Sequence, residues 1–162
     1  NALKPIDGEK VAAFWKELAK VQRVSTAIGK ALGDAIKRLD NLEKSLDRTM
    51  VEPGALDARF AELRKALLAL DTRLNGNSAK NQIGAWNSVG INARLSHATI
   101  GTFRSTYGPT PAIRTSLNIA KEELTELRAA LDTLLTKSIP EFEQELQDLG
   151  APWIPGQKLP KL

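Results

Sequence analysis

The sequence predicts an all-α protein, an antiparallel up-down four-helix bundle with long helices and a Pro/Gly-rich C-terminal tail. Apolar residues recur at alternating spacings of three and four along most of the 162 residues, which is the pattern of helices that pack side by side. Aromatic residues make up only 5% of the chain while leucine and alanine are abundant, and this composition favours helices over sheets. Short turn signals separate four amphipathic segments, so we expect one domain over residues 1–162.

The first helix is predicted over residues 8–49. Asp7 is the predicted N-cap, and the Glu-Pro-Gly turn at 52–54 lies beyond its end. Gly29 and Gly33 have poor helix propensity, and we expect them to admit a close neighbouring helix. The apolar seam comprises Val11, Phe14, Leu18, Val21, Ser25, Ile28, Leu32, Ala35, Leu39, Leu42 and Leu46.

The second helix is predicted over residues 55–75. Asn75 and Gly76 tolerate the left-handed conformation that often ends a helix. Its seam comprises Leu56, Phe60, Leu63, Leu67, Leu70 and Leu74.

The third helix, predicted over residues 79–106, has the weakest propensity of the four because glycine and serine recur throughout it. Tertiary packing must therefore hold it, and its small residues would let it lie close to its partners. Its predicted inner stripe comprises Ile83, Trp86, Gly90, Ala93, His97, Ile100 and Tyr107.

The fourth helix is predicted over residues 111–149. Thr110 caps it and Pro111 occupies its first position, where the missing N–H costs nothing. Pro140 lies inside the seam, so it must kink the helix or begin a new one. Gly150 ends the helix and begins the tail, 150–162. The seam comprises Ile113, Leu117, Ala120, Leu124, Leu127, Leu131, Leu134, Phe142, Leu146 and Leu149.

The chain offers little catalytic chemistry. It has no cysteine, which excludes a thiol nucleophile, a thiolate metal site and a disulfide framework. The one histidine, His97, is interpreted as a packed side chain on the inner stripe, since a metal site needs several converging ligands. The acidic pairs that a hydrolase would need are read as solvated helix faces; these are Glu122, Glu123, Glu141, Glu143 and Glu145. No cofactor and no metal are predicted.

Charge is distributed unevenly along the chain. Residues 72–121 contain no Asp or Glu, and they carry six basic residues with aromatic residues between them. Such a stretch could form an anion- or nucleic-acid-binding face. Its basic density is low, however, and we expect half of these residues to pair with acids on the first and fourth helices. The six are Arg73, Lys80, Arg94, Arg104, Arg114 and Lys121.

Several short motifs resemble the C-terminal helical region of large bacterial proteins with sortilin-like BNR-repeat β-propellers, often labelled glycosyl hydrolases. The match covers roughly Leu56 to Gly156, and its most specific part is the closing Gly-Ala-Pro-Trp-x-Pro-Gly. The motifs are Gly84-x-Trp86-x-Ser88, Ile91-x-x-Arg94-Leu95, Ser105-Thr106-Tyr107-Gly108-Pro109-Thr110, Ile119-Ala120-x-Glu122-Glu123 and Gly150-Ala151-Pro152-Trp153-x-Pro155-Gly156.

This resemblance implies a C-terminal domain of a larger, exported protein, located in the periplasm or outside the cell. The chain begins at Asn1 and not at a methionine, which also indicates a piece of something longer. The resemblance further implies that any hydrolase activity belongs to the propellers. We therefore expect a non-enzymatic structural or interaction module whose partners are other domains of the parent or another protein. Nucleic-acid binding and membrane insertion are not expected. The alternatives are part of a carbohydrate-active hydrolase, or a basic anion- or nucleic-acid-binding bundle.

Five residues are candidates for partner docking: Arg94, Arg104, Trp86, Tyr107 and Trp153. Docking through the third helix requires both arginines to be accessible and not tied up in salt bridges to the fourth helix. Trp153 is expected to fold back onto the end of the bundle, and the alternative is that it docks onto the propellers.

Overall fold

The structure is a computed structural model that describes residues 7–49, 54–77, 80, 82–84, 88–105, 107–157 and 159. These residues form helices and turns and contain no strand, so the all-α prediction is confirmed. The elements are α1 (Gly8–Leu46), α2 (Gly54–Asn75), α3 (Ile91–Phe103), α4 (Pro111–Thr133), a π-helical turn (Leu134–Ser138) and α5 (Ile139–Asp148).

The chain forms two compact units, and the boundaries between them fall inside α1, α2 and α4. Unit 1 comprises Asn1–Gly29 and Asp71–Leu127. Unit 2 comprises Lys30–Leu70 and Arg128–Leu162.

Contacts within unit 1 define the directions of its helices. Gln22 contacts Thr99, and Ser25 contacts Asn92, so α3 runs antiparallel to α1. In contrast, α4 runs parallel to α1, because Arg114 lies over the Phe14 ring and Lys121 pairs with Glu17. Both α3 and α4 therefore run in the directions opposite to those that simple up-and-down alternation from α1 predicts.

The predicted seams of α1, α2 and α4 form the core. Of the eleven predicted α1 positions only Val11 is not buried, and in α2 only Leu56 is not. In the fourth seam Leu134 is half-buried and Leu149 is exposed, while the other members are buried. These results confirm that regular spacing of apolar residues identified the buried face.

The predicted third helix is wrong in its extent and in its inner stripe. The chain turns at Ile83 and Gly84, where Gly84 has φ +66°, and residues 88–90 are not helical. The new start at Ile91 changes the register, so the buried residues of α3 are Ile91, Leu95, Ala98 and Thr102. Ile83, His97, Ile100 and Tyr107 are exposed.

A glycine permits close packing in unit 1, but it is Gly90 and not one of the α1 glycines for which this role was predicted. A Cβ at Gly90 would lie 2.6 Å from the backbone nitrogen of Gly76, which is closer than atoms can approach, so only glycine fits here. A Cβ at Gly29 would make only an ordinary contact with a leucine side chain, and one at Gly33 would meet open space. The α1 glycines are therefore not required by a close neighbour.

The predicted N-caps of α1 and α4 and the predicted stop at Gly150 are confirmed, whereas α1 ends at Leu46 and not at the predicted residue 49. Asp7 accepts a hydrogen bond from the Lys10 backbone N–H at 3.3 Å, and its bonds to Lys10 lower the pKa of the Asp7 carboxyl. Thr110 Oγ1 accepts from the Ile113 N–H at 3.3 Å, with Pro111 as the first residue of α4. After α5, Gly150 has φ +74°, and the N–H groups of residues 150 and 151 bond back in a Schellman motif.

Pro140 neither breaks nor ends the helical path. A π-helical turn precedes it, in which the Ile139 N–H donates to the Leu134 carbonyl five residues back. Proline has no N–H and its ring crowds the preceding turn, and a wider turn relieves that crowding. Pro140 then lies in the first turn of α5, where helices tolerate proline.

In unit 2 the tail packs onto α1 through residues other than the predicted tryptophan. Ile154 is buried, and a turn over 154–157 has Pro155 and Gly156 at its centre, with Gly156 at φ +97°. This is the residue order of a type II turn. The Ser45 hydroxyl of α1 donates to the Pro152 carbonyl at 2.7 Å. Trp153 remains 46% exposed, so the expectation that it seals the bundle end is wrong.

The acidic face of α5 is also less solvated than predicted. Glu143 is buried and accepts two hydrogen bonds from Arg38 of α1, at 2.5 and 2.6 Å. Arg59 of α2 pairs with Glu141 at 3.3 Å and also with Glu145. Glu143 therefore belongs to the interior of unit 2.

Candidate functional site

A cleft runs between α1 and α3 in unit 1. It consists of two cavities along the same pair of helices. The polar cavity, about 590 Å³, is lined by Gln22 and Thr26 of α1 and by Asn92, Ser96, Thr99 and Ile100 of α3. The apolar cavity, about 360 Å³, is lined by Val11 and Trp15 of α1 and by Phe103 at the end of α3. The α1 residues recur every four or seven positions and so share one side of the helix. We refer to the two cavities together as the α1–α3 cleft, with a polar part and an apolar part.

The polar part of the cleft is lined mainly by amides and hydroxyls that bond to one another. Gln22 Nε2 donates to Thr99 Oγ1 at 2.8 Å. The Ser25 hydroxyl donates to Asn92 Oδ1 at 2.7 Å, and Asn92 Nδ2 donates to Asn75 Oδ1 at 2.8 Å. Among the described residues no buried side-chain nitrogen or oxygen lacks a partner. The network therefore fixes how α1, α2 and α3 meet and leaves no buried polar group that requires a ligand.

The apolar part of the cleft has the opposite character, because its aromatic side chains are not covered. Phe103 is 83% exposed, and Val11 and Trp15, which line the same cavity, are half-buried. Ile100, which is 48% exposed, lines the neighbouring polar part. α3 ends at Phe103 because the chain then turns, and Gly108 adopts φ +73° before the cap of α4. Large apolar side chains gathered at one exposed place mark interaction surfaces more often than scattered ones do.

The structure separates the five predicted docking residues. Arg104 and Tyr107 follow Phe103 in the sequence, just beyond the end of α3. Tyr107 is 63% exposed, and Arg104 is exposed and makes no ion pair with any described residue. Arg94 is half-buried and its Nε lies 3.3 Å from a Glu123 carboxylate oxygen of α4, so it fails the accessibility that docking requires. Trp153 belongs to unit 2. Trp86 lies outside the described residues.

The basic charge of residues 72–121, the stretch without Asp or Glu, is partly neutralised, as expected. Three of its six basic residues pair with acids on α1 and α4: Arg73 with Glu126, Arg94 with Glu123, and Lys121 with Glu17. A fourth, Arg114, lies 5.5 Å from the centre of the Phe14 ring, within the range of a cation–π contact. Most of this basic charge therefore has a partner within unit 1.

His97 is exposed on α3 and is not the packed residue that the sequence suggested. Within the described part of the chain, no group of three or more His, Asp or Glu side chains is placed to hold a metal ion. The register of α3 explains why His97 is exposed, because the buried residues of this helix are Ile91, Leu95, Ala98 and Thr102 and not the predicted stripe.

Sequence reasoning missed the cleft itself. Val11 was assigned to the core seam, and Trp15 lies four residues after it on the same side of α1. Two features of the sequence could have indicated the cleft. One is the apolar i, i+4 pair Val11 and Trp15 beside the core seam, and the other is the placement of Asn75 and Asn92 next to helix ends. Neither signal indicates which helix lies opposite.

No protein-family model, curated protein or solved structure matches this chain. None of the helices in the described ranges combines the length and apolarity that crossing a bilayer requires.

Proposed function

We propose that this chain is a non-catalytic helical interaction module that binds a protein partner through the α1–α3 cleft. The observation that supports this most directly is the exposed Phe103 side chain in the apolar part of the cleft, with Tyr107 also exposed four residues later in the chain. Aromatic side chains contribute disproportionately to binding energy at protein interfaces.

The lining of the cleft favours binding over catalysis. Its side chains are amides, hydroxyls and apolar groups, and none of these is a general acid or base near neutral pH. The hydroxyls of Thr26 and Thr99 donate to backbone carbonyls of their own helices. A hydroxyl nucleophile needs a neighbouring base, and no lining residue supplies one.

By the resemblance, the module lies at the C-terminus of a large exported propeller protein, in the periplasm or outside the cell. Its partner is then another domain of that protein or a separate protein. The hydrolase alternative has no support from the cleft lining. The anion- or nucleic-acid-binding alternative is weakened because half of the basic stretch is paired to carboxylates within unit 1.

Site-specific crosslinking tests the proposal. A photoreactive p-benzoyl-phenylalanine is placed at Phe103 in the producing cells, with a control at Leu68, an exposed leucine of α2 in unit 2. We expect one adduct of defined mass from position 103 that is absent from position 68. Excess purified chain should suppress the adduct, and excess Phe103→Ser chain should not. No adduct, or equal adducts from both positions, would contradict a docking role for the cleft.

The alternative that the chain is part of a carbohydrate-active hydrolase is tested by measuring glycoside hydrolysis. Hydrolysis of a glycoside panel by the purified chain, lost in Asn92→Ala while the fold is retained, would favour the hydrolase reading and contradict ours.

A further inference from the structure

We infer that the occupant of the α1–α3 cleft is an acidic amphipathic α-helix of a partner protein, about four turns long. This inference rests on the proposed function and specifies the chemistry of the partner. Three properties of the cleft lead to it: its length, the state of its backbone groups, and the charge along its edges.

The dimensions of the cleft fit a helix. The lining of α1 extends from Val11 to Thr26, which at about 1.5 Å per residue is about 22 Å. α3 borders the same length from the opposite side, because Asn92 lies by Ser25 and Phe103 lies by Trp15. Two antiparallel helices bordering a cleft present a groove into which the apolar side chains of a third helix can insert.

The backbone of the cleft offers no sheet edge to an extended peptide and therefore favours a helix. Both walls are α-helices whose N–H and C=O groups bond within the helix. A peptide strand would find no edge with which to pair, and its own buried backbone groups would go unsatisfied. A helix satisfies its own backbone, so it can lie in the cleft using side chains alone.

The charge along the cleft selects an acidic partner. No lining residue is acidic. Lys16 and Arg23 each follow a lining residue of α1 in the sequence, and both are exposed and form no ion pair with a described residue. Arg104 has the same character at the end of α3. Glu9 begins the Lys16–Arg23 row, next to the N-terminus of α1, so the edge becomes basic toward the middle of the cleft. Such a rim attracts carboxylates and repels lysines.

The partner helix should therefore carry an apolar stripe for Phe103, Ile100 and Trp15, with Glu or Asp on both flanks of that stripe. Toward Gln22 and Thr99 the stripe should continue with small or polar residues, because that part of the cleft is polar and its buried side-chain groups already have hydrogen-bond partners.

Binding of designed peptides to the whole 162-residue chain tests the inference. The probe is a synthetic helix of about five turns with leucines at helical spacing and glutamates elsewhere. The first comparison peptide has lysine in place of glutamate, and the second has the same composition with the leucine spacing scrambled. We expect saturable binding of the acidic helix that weakens with rising ionic strength, and at least about tenfold weaker binding of both comparison peptides.

Variants locate the binding. Phe103→Ala should weaken the acidic helix about tenfold or more, and Arg104→Glu should weaken it and flatten its dependence on salt. Leu68→Ala and Lys80→Glu, exposed residues away from the cleft lining, are the matched controls and should bind as the parent does. An unchanged melting temperature shows that each variant is folded.

Three results would overturn the inference: equal binding of the acidic and basic helices, loss of binding in the control variants, or no binding at all. Concentration-dependent dimerisation abolished by Phe103→Ala would assign the cleft to a second copy of this chain, and would also overturn it. If the acidic helix fails while the crosslink at position 103 persists in cells, the interaction module stands and only the chemistry of its partner is wrong. If both fail, the cleft is not a docking site.

Discussion

The Arg38–Glu143 pair in unit 2 allows a quantitative test, because its two members differ in exposure. The Glu143 side chain is 7% exposed, while the Arg38 side chain is 30% exposed. The two form a bidentate ion pair, and Arg38 Nη2 also lies 3.5 Å from the Gly156 carbonyl oxygen of the tail. The perturbations are Arg38→Met, which keeps an apolar stem of similar length, and Glu143→Gln, which keeps the shape of the carboxylate.

Removing either member leaves the other charge without its partner. The resulting loss in the free energy of unfolding depends on whether the remaining group can reach water. Arg38→Met leaves a buried carboxylate that accepted two charged bonds, and stranding such a group costs about 3–5 kcal/mol. Glu143→Gln leaves a guanidinium that is about one-third exposed and can still donate to the amide oxygen, so screening by water reduces the loss to about 1–2 kcal/mol. The structure therefore predicts an asymmetric effect, with the arginine variant the less stable.

Urea unfolding followed by far-UV circular dichroism at pH 7 measures both losses. For a chain of this size about 1 kcal/mol corresponds to about 2–4 °C in melting temperature, so Arg38→Met should lower it by roughly 6–12 °C or more. Equal losses in the two variants would show that burial does not control the cost. A loss below about 1 kcal/mol in Arg38→Met would show that Glu143 is not held in a buried pair.

Three further outcomes are expected. Leu127→Ala should destabilise by about 2–5 kcal/mol because the side chain is fully buried, whereas Leu149→Ala, at an exposed position, should cost far less; equal melting temperatures for Leu127→Ala and the parent would refute the α4 register. Gly90→Ala should destabilise by at least about 1–3 kcal/mol because its Cβ would lie 2.6 Å from a backbone nitrogen, while Gly33→Ala, with open space around it, should stabilise by about 0.5–1 kcal/mol; calorimetry that ranked them the other way would contradict the packing described. Zinc or manganese should leave the melting temperature unchanged, since a bound metal stabilises by mass action, and a saturable rise lost in His97→Ala would reveal a site.

The buried faces of α1, α2 and α4 follow from the spacing of apolar residues alone. Leu63, Leu67, Leu124, Leu127 and Leu131 were all predicted as core and are all buried. The reason is local, because an apolar row at helical spacing defines one side of a helix whatever packs against it. The helix ends were also local, since caps and left-handed glycines act through hydrogen bonds to residues a few positions away.

Prediction failed where local preference was weak or divided. The segment before Ile91 is rich in glycine, serine and asparagine, so no stripe fixed its register, and the turn at Gly84 displaced every later position. The π-helical turn before Pro140 depends on how a wider turn relieves the ring, which the apolar spacing does not reveal. Trp153 was predicted to pack onto the bundle because it is large, whereas the turn in the tail buries Ile154 instead.

The α1–α3 cleft and the burial of Glu143 depend on contacts between segments that are distant in the chain. The spacing of Val11 and Trp15 shows that they lie on the same side of α1, but it contains no information on which helix approaches them. Glutamate on an amphipathic helix is ordinarily solvated, and only the arrival of Arg38, from a position 105 residues earlier, makes its burial favourable. Short-range periodicity thus specifies the faces of each helix, while the pairing of faces depends on contacts between residues distant in the chain, whose energies no single segment encodes.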